Sequence, residues 1–506
     1  MGTRSAAPAG GLRNVVRRLT KLARLPGRGC RRRENANAMR YVVLAAGFDG
    51  TLARDGRCDE RCIDALRELS ATGRKLVLVT GRELRLLLEI FPEARLFDYI
   101  VAENGAVLHR TATRQSEILG QAPPEILLQE LRRQHVAPLS VGSSIITTTA
   151  EHIDVVHAAL RKLKLHLDYE LVSNDDVLLI LPPGVDKASG IKEALRELGV
   201  SRHNLVAIGN GENDLPLFAS AEQAVAVSNA SDAVKQAADR VTEGAFCEGF
   251  LELTRDLVAT DLSNAVPRRR VVLGKDEEQH DVTLSPCQDS VLVSGADETA
   301  RTMICNRLLE QLMQQDYQCC VIGADRNTPA ASPRGAFVNM SSWGDAHEAP
   351  RLTDVLTALE QPTQSIEINL AALPAETRPV FVDALLLQLQ ATHDRAGRPH
   401  CILIHHADRF LMGATAGAAI RRLSEVTMIY SSAEAGLLPR AILEDVKLTI
   451  STGLPLTDAP GTAGASAEGQ AVTTGGAVCR ISLLRPSSTS GSASLSSAGA
   501  VPVSGY

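Results

Sequence analysis

Four short stretches place polar side chains directly after hydrophobic runs, where a buried strand can present chemistry at its end. They are GFDGT at 47–51, LVTGR at 78–82, VDKASG at 185–190 and GNGEND at 209–214. Together they supply the carboxylates of Asp49 and Asp214, the hydroxyl of Thr80, the ammonium of Lys187 and the carboxamide of Asn210. Such groups, brought together, suit a phosphorylated ligand and its counter-ion. Taken singly, each has a plainer reading. Thr80-Gly81-Arg82 is a turn after a strand, Lys187 a solvated lysine at a helix start, and Asp49 a turn-forming acid. Their joint order lifts them. One position stands out for what it lacks: two residues before Asp49 stands Gly47, which has no side chain.

The elements needed to hold these residues are legible. YVVLAA and KLVLVTG read as short buried strands, with CIDALRELSATG between them at helical spacing and closed by a glycine. YIVAENGAVLH carries a hairpin turn at Asn104-Gly105. LVAIGNGEND and AVAVSNA supply two later strands. Strands alternating with helices predict a parallel sheet covered on both faces. Residues 110–180 break that rhythm and read as a small α+β insert. The division expected is a basic disordered or helical extension at 1–38, a core at 39–109 and 181–258, the insert at 110–180, and a linker at 259–270. A second α/β unit follows at 271–456, then a mostly disordered tail at 457–506. The tail is rich in Ala, Gly, Ser and Thr, and AVCRISLLRP within it is read as one strand.

Composition sets the outer limits. A chain of 506 residues is too long for one ordinary core. Its aromatic content of 3% makes that core mainly aliphatic. A net charge of −6 excludes a chain that coats nucleic acid over its whole surface. No uninterrupted apolar run is long enough to span a membrane. The ten cysteines contain no C-x-x-C pair, which predicts free thiols in a reducing cytoplasm.

On the four motifs in order, residues 41–257 resemble the haloacid dehalogenase superfamily. The subgroup is the one with a large α/β cap, similar to sucrose-phosphate-phosphatase-like and Cof-type phosphatases. The resemblance implies a Rossmann-like parallel sheet, a cap that selects substrate, and Mg²⁺-dependent hydrolysis of a phosphomonoester. In that chemistry an aspartate attacks phosphorus, and a second aspartate two residues on serves as acid and base. Carried over, Asp49 is the acid/base position, Thr80, Gly81 and Lys187 bind phosphate, and Asp214 with Asn210 faces the metal. Two positions depart. Gly47 occupies the nucleophile position without a side chain, and Asn210 replaces an acid. A weakened Mg²⁺ site follows, because Mg²⁺ favours carboxylates and water.

The stretch SVLVSGADETARTMICNRLLEQL resembles the strand, loop and helix of a P-loop nucleotide-binding domain. With HCILIHHADRFL in the place of the second, acidic strand, ending His405-His406 where Asp-Glu is usual and with Asp408 coming late, the layout over 271–452 is similar to HerA/FtsK-type ATPases. Gly295 and Thr302 fit the phosphate loop, while Ala300 and Arg301 replace its second glycine and its lysine. Asp297 and Glu298 place negative charge where phosphates would sit. ATP is therefore not expected, although Arg301 could hold an anion as a point charge. His400, Cys401, His405 and His406 alternate faces of one strand and do not converge on a metal.

Three functions compete. The leading expectation is a phospho-ligand-binding or regulatory pseudoenzyme, with a phosphorylated small molecule or a protein as partner. The alternative is a Mg²⁺-dependent phosphatase acting on sugar-phosphate-like monoesters through Asp49. The third is a nucleic-acid-associated ATPase relative, suggested by the second unit and the basic arm.

Overall fold

The computed structural model describes residues 39–174, 176–276, 280–323, 339–411, 414–423, 425–452, 468–473 and 478–482. The expectations for residues 1–38 and for most of the tail lie outside them.

The first unit is built on an eight-stranded sheet. In chain order its elements are β1 (Val43–Gly47), a small hairpin of β2 (Ala53–Arg54) and β3 (Arg57–Cys58), then β4 (Lys75–Val79), β5 (Tyr99–Ala102), β6 (Val107–Arg110) and β7 (Gln115–Ile118). Four strands of an inserted sheet follow: β8 (Ser140–Val141), β9 (Ile146–Thr149), β10 (Glu170–Asn174) and β11 (Val177–Leu181). The chain then returns through β12 (Leu205–Gly209), β13 (Gln223–Ala226) and β14 (Arg240–Val241). The large sheet has the order β14-β13-β12-β1-β4-β5-β6-β7, parallel from β14 to β5. Every residue of β1 and β12 is buried, as expected of central parallel strands covered on both faces. Asp49, Thr80, Asn210 and Asp214 therefore follow the ends of β1, β4 and β12, which are neighbours in the sheet, while Lys187 opens the helix Lys187–Leu198.

The Asn104-Gly105 turn does close a hairpin, between β5 and β6. The core sheet runs further than the sequence suggested, since β7 pairs with β6 beyond residue 109. QSEI has no buried residue, so hydrophobic patterning could not reveal it. The inserted sheet has the order β10-β11-β9-β8 and is antiparallel. One face packs Leu178, Ile180 and Ile146 against the helices Glu125–Arg133 and Ile153–Lys162. Its other face looks toward the first sheet.

The segment 259–270 is pinned rather than free. Arg268 pairs with Asp239 at 3.1 Å and Arg269 with the buried Glu222 at 3.0 Å.

The second unit continues with β15 (Val271–Asp276), β16 (Asp281–Leu284), β17 (Val291–Ser294), β18 (Cys319–Ile322), β19 (Met340–Trp343), β20 (Ser365–Ile368), β21 (Cys401–Ile404), β22 (Thr427–Ser432), β23 (Leu448–Ser451), β24 (Glu468–Thr473) and β25 (Val478–Ser482). They form one sheet ordered β16-β15-β25-β24-β23-β17-β22-β21-β18-β20-β19. It is parallel from β23 to β19. AVCRIS does supply a strand, β25, and β24 beside it was not expected in the tail. The units meet through buried polar groups. His203 stacks on Tyr317 with ring centroids 3.7 Å apart, and Asn204 donates to the Gly397 carbonyl at 2.9 Å. Among the described residues no helix is long and apolar enough to cross a membrane.

Candidate functional site

The ends of β1, β4 and β12, together with the start of the helix Lys187–Leu198, surround a cavity of about 360 Å³. Its lining includes Asp49, Thr80, Gly81, Arg82, Lys187, Asn210 and Asn213 from the core, and Ser140, Thr147, Val177 and Leu179 from the inserted sheet, which therefore acts as a cap. Among the described residues, none of the second unit lines it.

Lys187 is placed by local chemistry. Asp186 caps the helix, its carboxylate accepting from the Ser189 N–H at 2.7 Å. The helix start lies against the β5–β6 turn, where Gly105 has φ +109° and a Cβ would collide with the Asp186 carbonyl. The lysine is buried and donates to Asp214 Oδ1 at 2.6 Å and Asn213 Oδ1 at 3.1 Å. Asp214 Oδ2 accepts from the N–H groups of Asn210 at 2.9 Å and Gly211 at 3.1 Å. The carboxylate thus ties the loop after β12 to the lysine. Thr80 is buried at the end of β4, its Oγ1 accepting from the Arg82 N–H at 3.1 Å. At Gly81 a Cβ would meet Leu179 at 3.7 Å and Asn213 at 3.8 Å. That is ordinary contact, so the glycine leaves ligand space rather than relieving a clash.

Asp49 is held by a partner that sequence reasoning missed. Arg82 grips it with two bonds, Nε to Oδ2 at 2.6 Å and Nη2 to Oδ1 at 2.7 Å. That hydrogen bonding raises the Arg82 pKa above the usual arginine range. Residues 33 apart carry no sequence signal of pairing. Thr51, also unassigned, donates to Asn210 Oδ1 at 3.1 Å. Gly47 ends β1 beside this pair with no side chain, so no aspartyl-phosphate can form at that position.

The expected Mg²⁺ ligands fit the ion poorly, with no carboxylate at position 47 or 210. Asp214 spends one oxygen on Lys187 and the other on two backbone donors. Asn210 is neutral and already accepts from Thr51, and Asp49 is closed on Arg82. An ammonium 2.6 Å from the one buried carboxylate also repels a cation. The acidic cluster of Glu117, Glu193 and Glu197 lies elsewhere, where Arg110 bonds Glu197 at 2.7 Å and Glu117 at 2.5 Å.

The second candidate loop follows β17. Gly295 has φ +144°, and Asp297 caps the helix Glu298–Gln314 by accepting from the N–H groups of Thr299 at 2.9 Å and Ala300 at 3.2 Å. Those donors are the ones a phosphate would need. Arg301, expected as a point charge for an anion, lies at the same turn. Arg301 is buried and donates to the Gly295 carbonyl, so it closes the loop it would serve. Thr302 is buried one residue further along the helix. His405 and His406 are buried at the end of β21, and His406 Nε2 lies 3.2 Å from Glu298 Oε1.

Comparison with known proteins agrees with this geometry over the first unit. The family model described as haloacid dehalogenase-like hydrolase matches residues 44–123 and 123–251. A phosphoglycolate phosphatase of Methanothermobacter thermautotrophicus is 30% identical over 221 residues, covering 42% of this chain and 97% of that protein. A phosphoglycolate phosphatase of Halorubrum lacusprofundi is 30% identical over 223 residues, covering 42% and 96%. Among solved structures, a haloacid dehalogenase-like hydrolase from Bacteroides thetaiotaomicron is 22% identical, covering 43% of this chain and 99% of that one with a TM-score of 0.39. By its first unit, the chain belongs to the haloacid dehalogenase-like hydrolase family.

Proposed function

We propose that the first unit binds a phosphomonoester without forming a covalent phosphoenzyme. The observation that carries this is one cavity onto which Lys187, Thr80 and Gly81 open while position 47 offers only a hydrogen atom. The lysine supplies positive charge to the phosphoryl oxygens, the threonine a hydroxyl, and the glycine room for close backbone approach. Asp49, oriented by Arg82, stands where a leaving oxygen would be met. Isothermal titration of the full chain with inorganic phosphate and simple phosphomonoesters, with EDTA present, tests the reading. Saturable binding with no turnover of p-nitrophenyl phosphate supports it, and absence of binding refutes it.

The curated relatives favour a second reading, a phosphomonoester phosphatase, because proteins named phosphoglycolate phosphatase align over nearly their full length. Asp49 would then direct water at phosphorus itself. Turnover by the wild type that disappears in Asp49→Asn selects this reading over the first.

For the second unit, β17, the Gly295 turn and the helix Glu298–Gln314 keep a strand–loop–helix frame inside a parallel sheet. This supports a P-loop-like origin. The self-capped loop supports a role in structure or partner binding, not in ATP hydrolysis.

A further inference from the structure

Three thiols that the phosphate site does not use meet at the start of two helices. Cys58 ends β3, and Cys62 follows four residues on, inside the helix Glu60–Ala71. Cys247 opens the helix Cys247–Thr260. Packing brings it to the other two from far along the chain. Arg61 pairs with Glu248 at 2.7 Å, and the Arg54 guanidinium stands 5.4 Å from the centroid of the Phe246 ring. The residues on both sides of Cys247 are thereby fastened to the hairpin and helix start that carry Cys58 and Cys62. The Cys62 thiol is in hydrogen-bond contact with both other sulfurs. The three stand in a row through Cys62 and do not close round one ion.

Their exposures differ, and so do the roles open to them. Cys62 is fully buried and Cys247 nearly so, while Cys58 is partly exposed. A reagent arriving from solvent therefore meets Cys58 first, and Cys62 is within reach of whatever forms there. Cys247 sits at a helix N-terminus, where the dipole favours negative charge. The Cys62 thiol bonded to it holds Cys247 below the usual thiol range. The same bond, with the one to Cys58, holds Cys62 far above that range. The hairpin places this group beside the phosphate cavity. Asp49 bridges to Ala53, and Ala53 pairs with Cys58. The turn between β2 and β3 reaches Arg82, since a Cβ on Gly56 would stand 3.5 Å from its Nη2.

We propose that Cys58 and Cys62 form a reversible disulfide by exchange with a low-molecular-weight disulfide, that Cys247 is the base, and that the cross-link pins the hairpin beside the cavity. Cys58 gives up its proton and attacks one sulfur of the external disulfide. A mixed disulfide forms, and one small thiolate leaves and takes up a proton. Cys62 passes its proton to Cys247 and attacks the Cys58 sulfur, and the second small thiolate leaves and is protonated in turn. Two protein thiols are oxidised, and one external disulfide is reduced to two thiols. Excess small thiol runs the sequence backward. The proposal holds whatever ligand the cavity takes.

The test incubates the full chain with oxidised glutathione and digests it with trypsin without reduction. Trypsin cuts after Arg57, Arg61 and Arg67, so Cys58 and Cys62 fall in separate peptides that only a disulfide keeps together. Joined peptides 58–61 and 62–67, separated by dithiothreitol, are expected. Glutathione left on Cys58, Cys62 joined to the peptide of Cys247, or no modification at all overturns the proposal. Cys62→Ser should retain glutathione on Cys58, and Cys58→Ser should lose the cross-link. Cys247→Ser should slow cross-linking about 10²-fold, the low end for a positioned base; an unchanged rate overturns its role. Circular dichroism checks the folding of each variant, and the wild-type digest stands as a test without them. Amide exchange over residues 53–58 should slow on oxidation. Exchange that stays the same overturns the pinning of the hairpin.

Discussion

Restoring the two missing carboxylates tests directly whether position 47 is what closes the covalent route. In Gly47→Asp the new Cβ would stand 3.0 Å from Thr51 Oγ1, 3.5 Å from Thr51 Cβ and 3.6 Å from the Ile208 carbonyl. The tightest neighbour is a side chain, so Thr51 can turn aside, losing its bond to Asn210 at about 1 kcal/mol. A carboxylate at the tip of a fully buried strand costs more to desolvate than the about 1–3 kcal/mol of a neutral polar group, until a cation meets it. The single variant should therefore lose at least about 2–4 kcal/mol of stability and gain no activity. Adding Asn210→Asp brings a second charge beside the first and, with it, the oxygen set that Mg²⁺ prefers. Mg²⁺ should then restore stability by mass action. Urea unfolding with and without Mg²⁺ reads the first effect, and hydrolysis of p-nitrophenyl phosphate reads the second. The double variant should show Mg²⁺-dependent turnover at least about 10³-fold above the wild type, a modest share of what nucleophiles typically contribute. A wild type that already matches the double variant would refute the reasoning, because the gap at position 47 would then not limit the chemistry.

Other outcomes follow from the same geometry. Lys187→Met strips the buried Asp214 of its ammonium, and removing one partner of a buried pair costs about 3–5 kcal/mol. Urea denaturation should show that loss, and titration should show phosphate binding abolished. Phosphate affinity in the wild type should be the same in Mg²⁺ and in EDTA; a large strengthening by Mg²⁺ would contradict the donor geometry. ATP should not bind the second unit, since Asp297 and Arg301 already satisfy the loop, and micromolar binding by titration would show that the loop opens. Acid should weaken the second unit. Burial pushes His393 and His405 down to about 4, so between that value and the ordinary histidine range the unfolded chain holds more protons than the folded one. Stability is then complete above the ordinary range and lost as pH falls, by about 2 kcal/mol per histidine near pH 5. Thermal unfolding followed at neutral pH and near pH 5 checks this, and a flat profile would refute it.

The family's fold was legible because its signals are local. A strand such as VLAAG, all buried, announces itself by composition; Asp49, Thr80 and Asn210 follow such strands within one or two residues, and Lys187 opens a helix. Asp49, Thr80, Lys187 and Asp214 could be located from order alone, and the absence at Gly47 could be noticed only against that order. The exposed strand QSEI and the late strand β24 escaped because their pairing comes from neighbours, not from their own periodicity.

What tertiary structure alone decided was which charges are spent. The sequence contains Asp49, Arg82, Glu83 and Arg301 as free-standing charges. Folding closes Arg82 on Asp49, hangs Glu83 from the cap, and turns Arg301 back onto its own loop. These pairings depend on distances between strand ends and cap register, which residue order does not encode locally. The sequence by itself therefore determined where the chemistry would be sought. The packing of distant strands determined which of those groups remain able to meet a ligand.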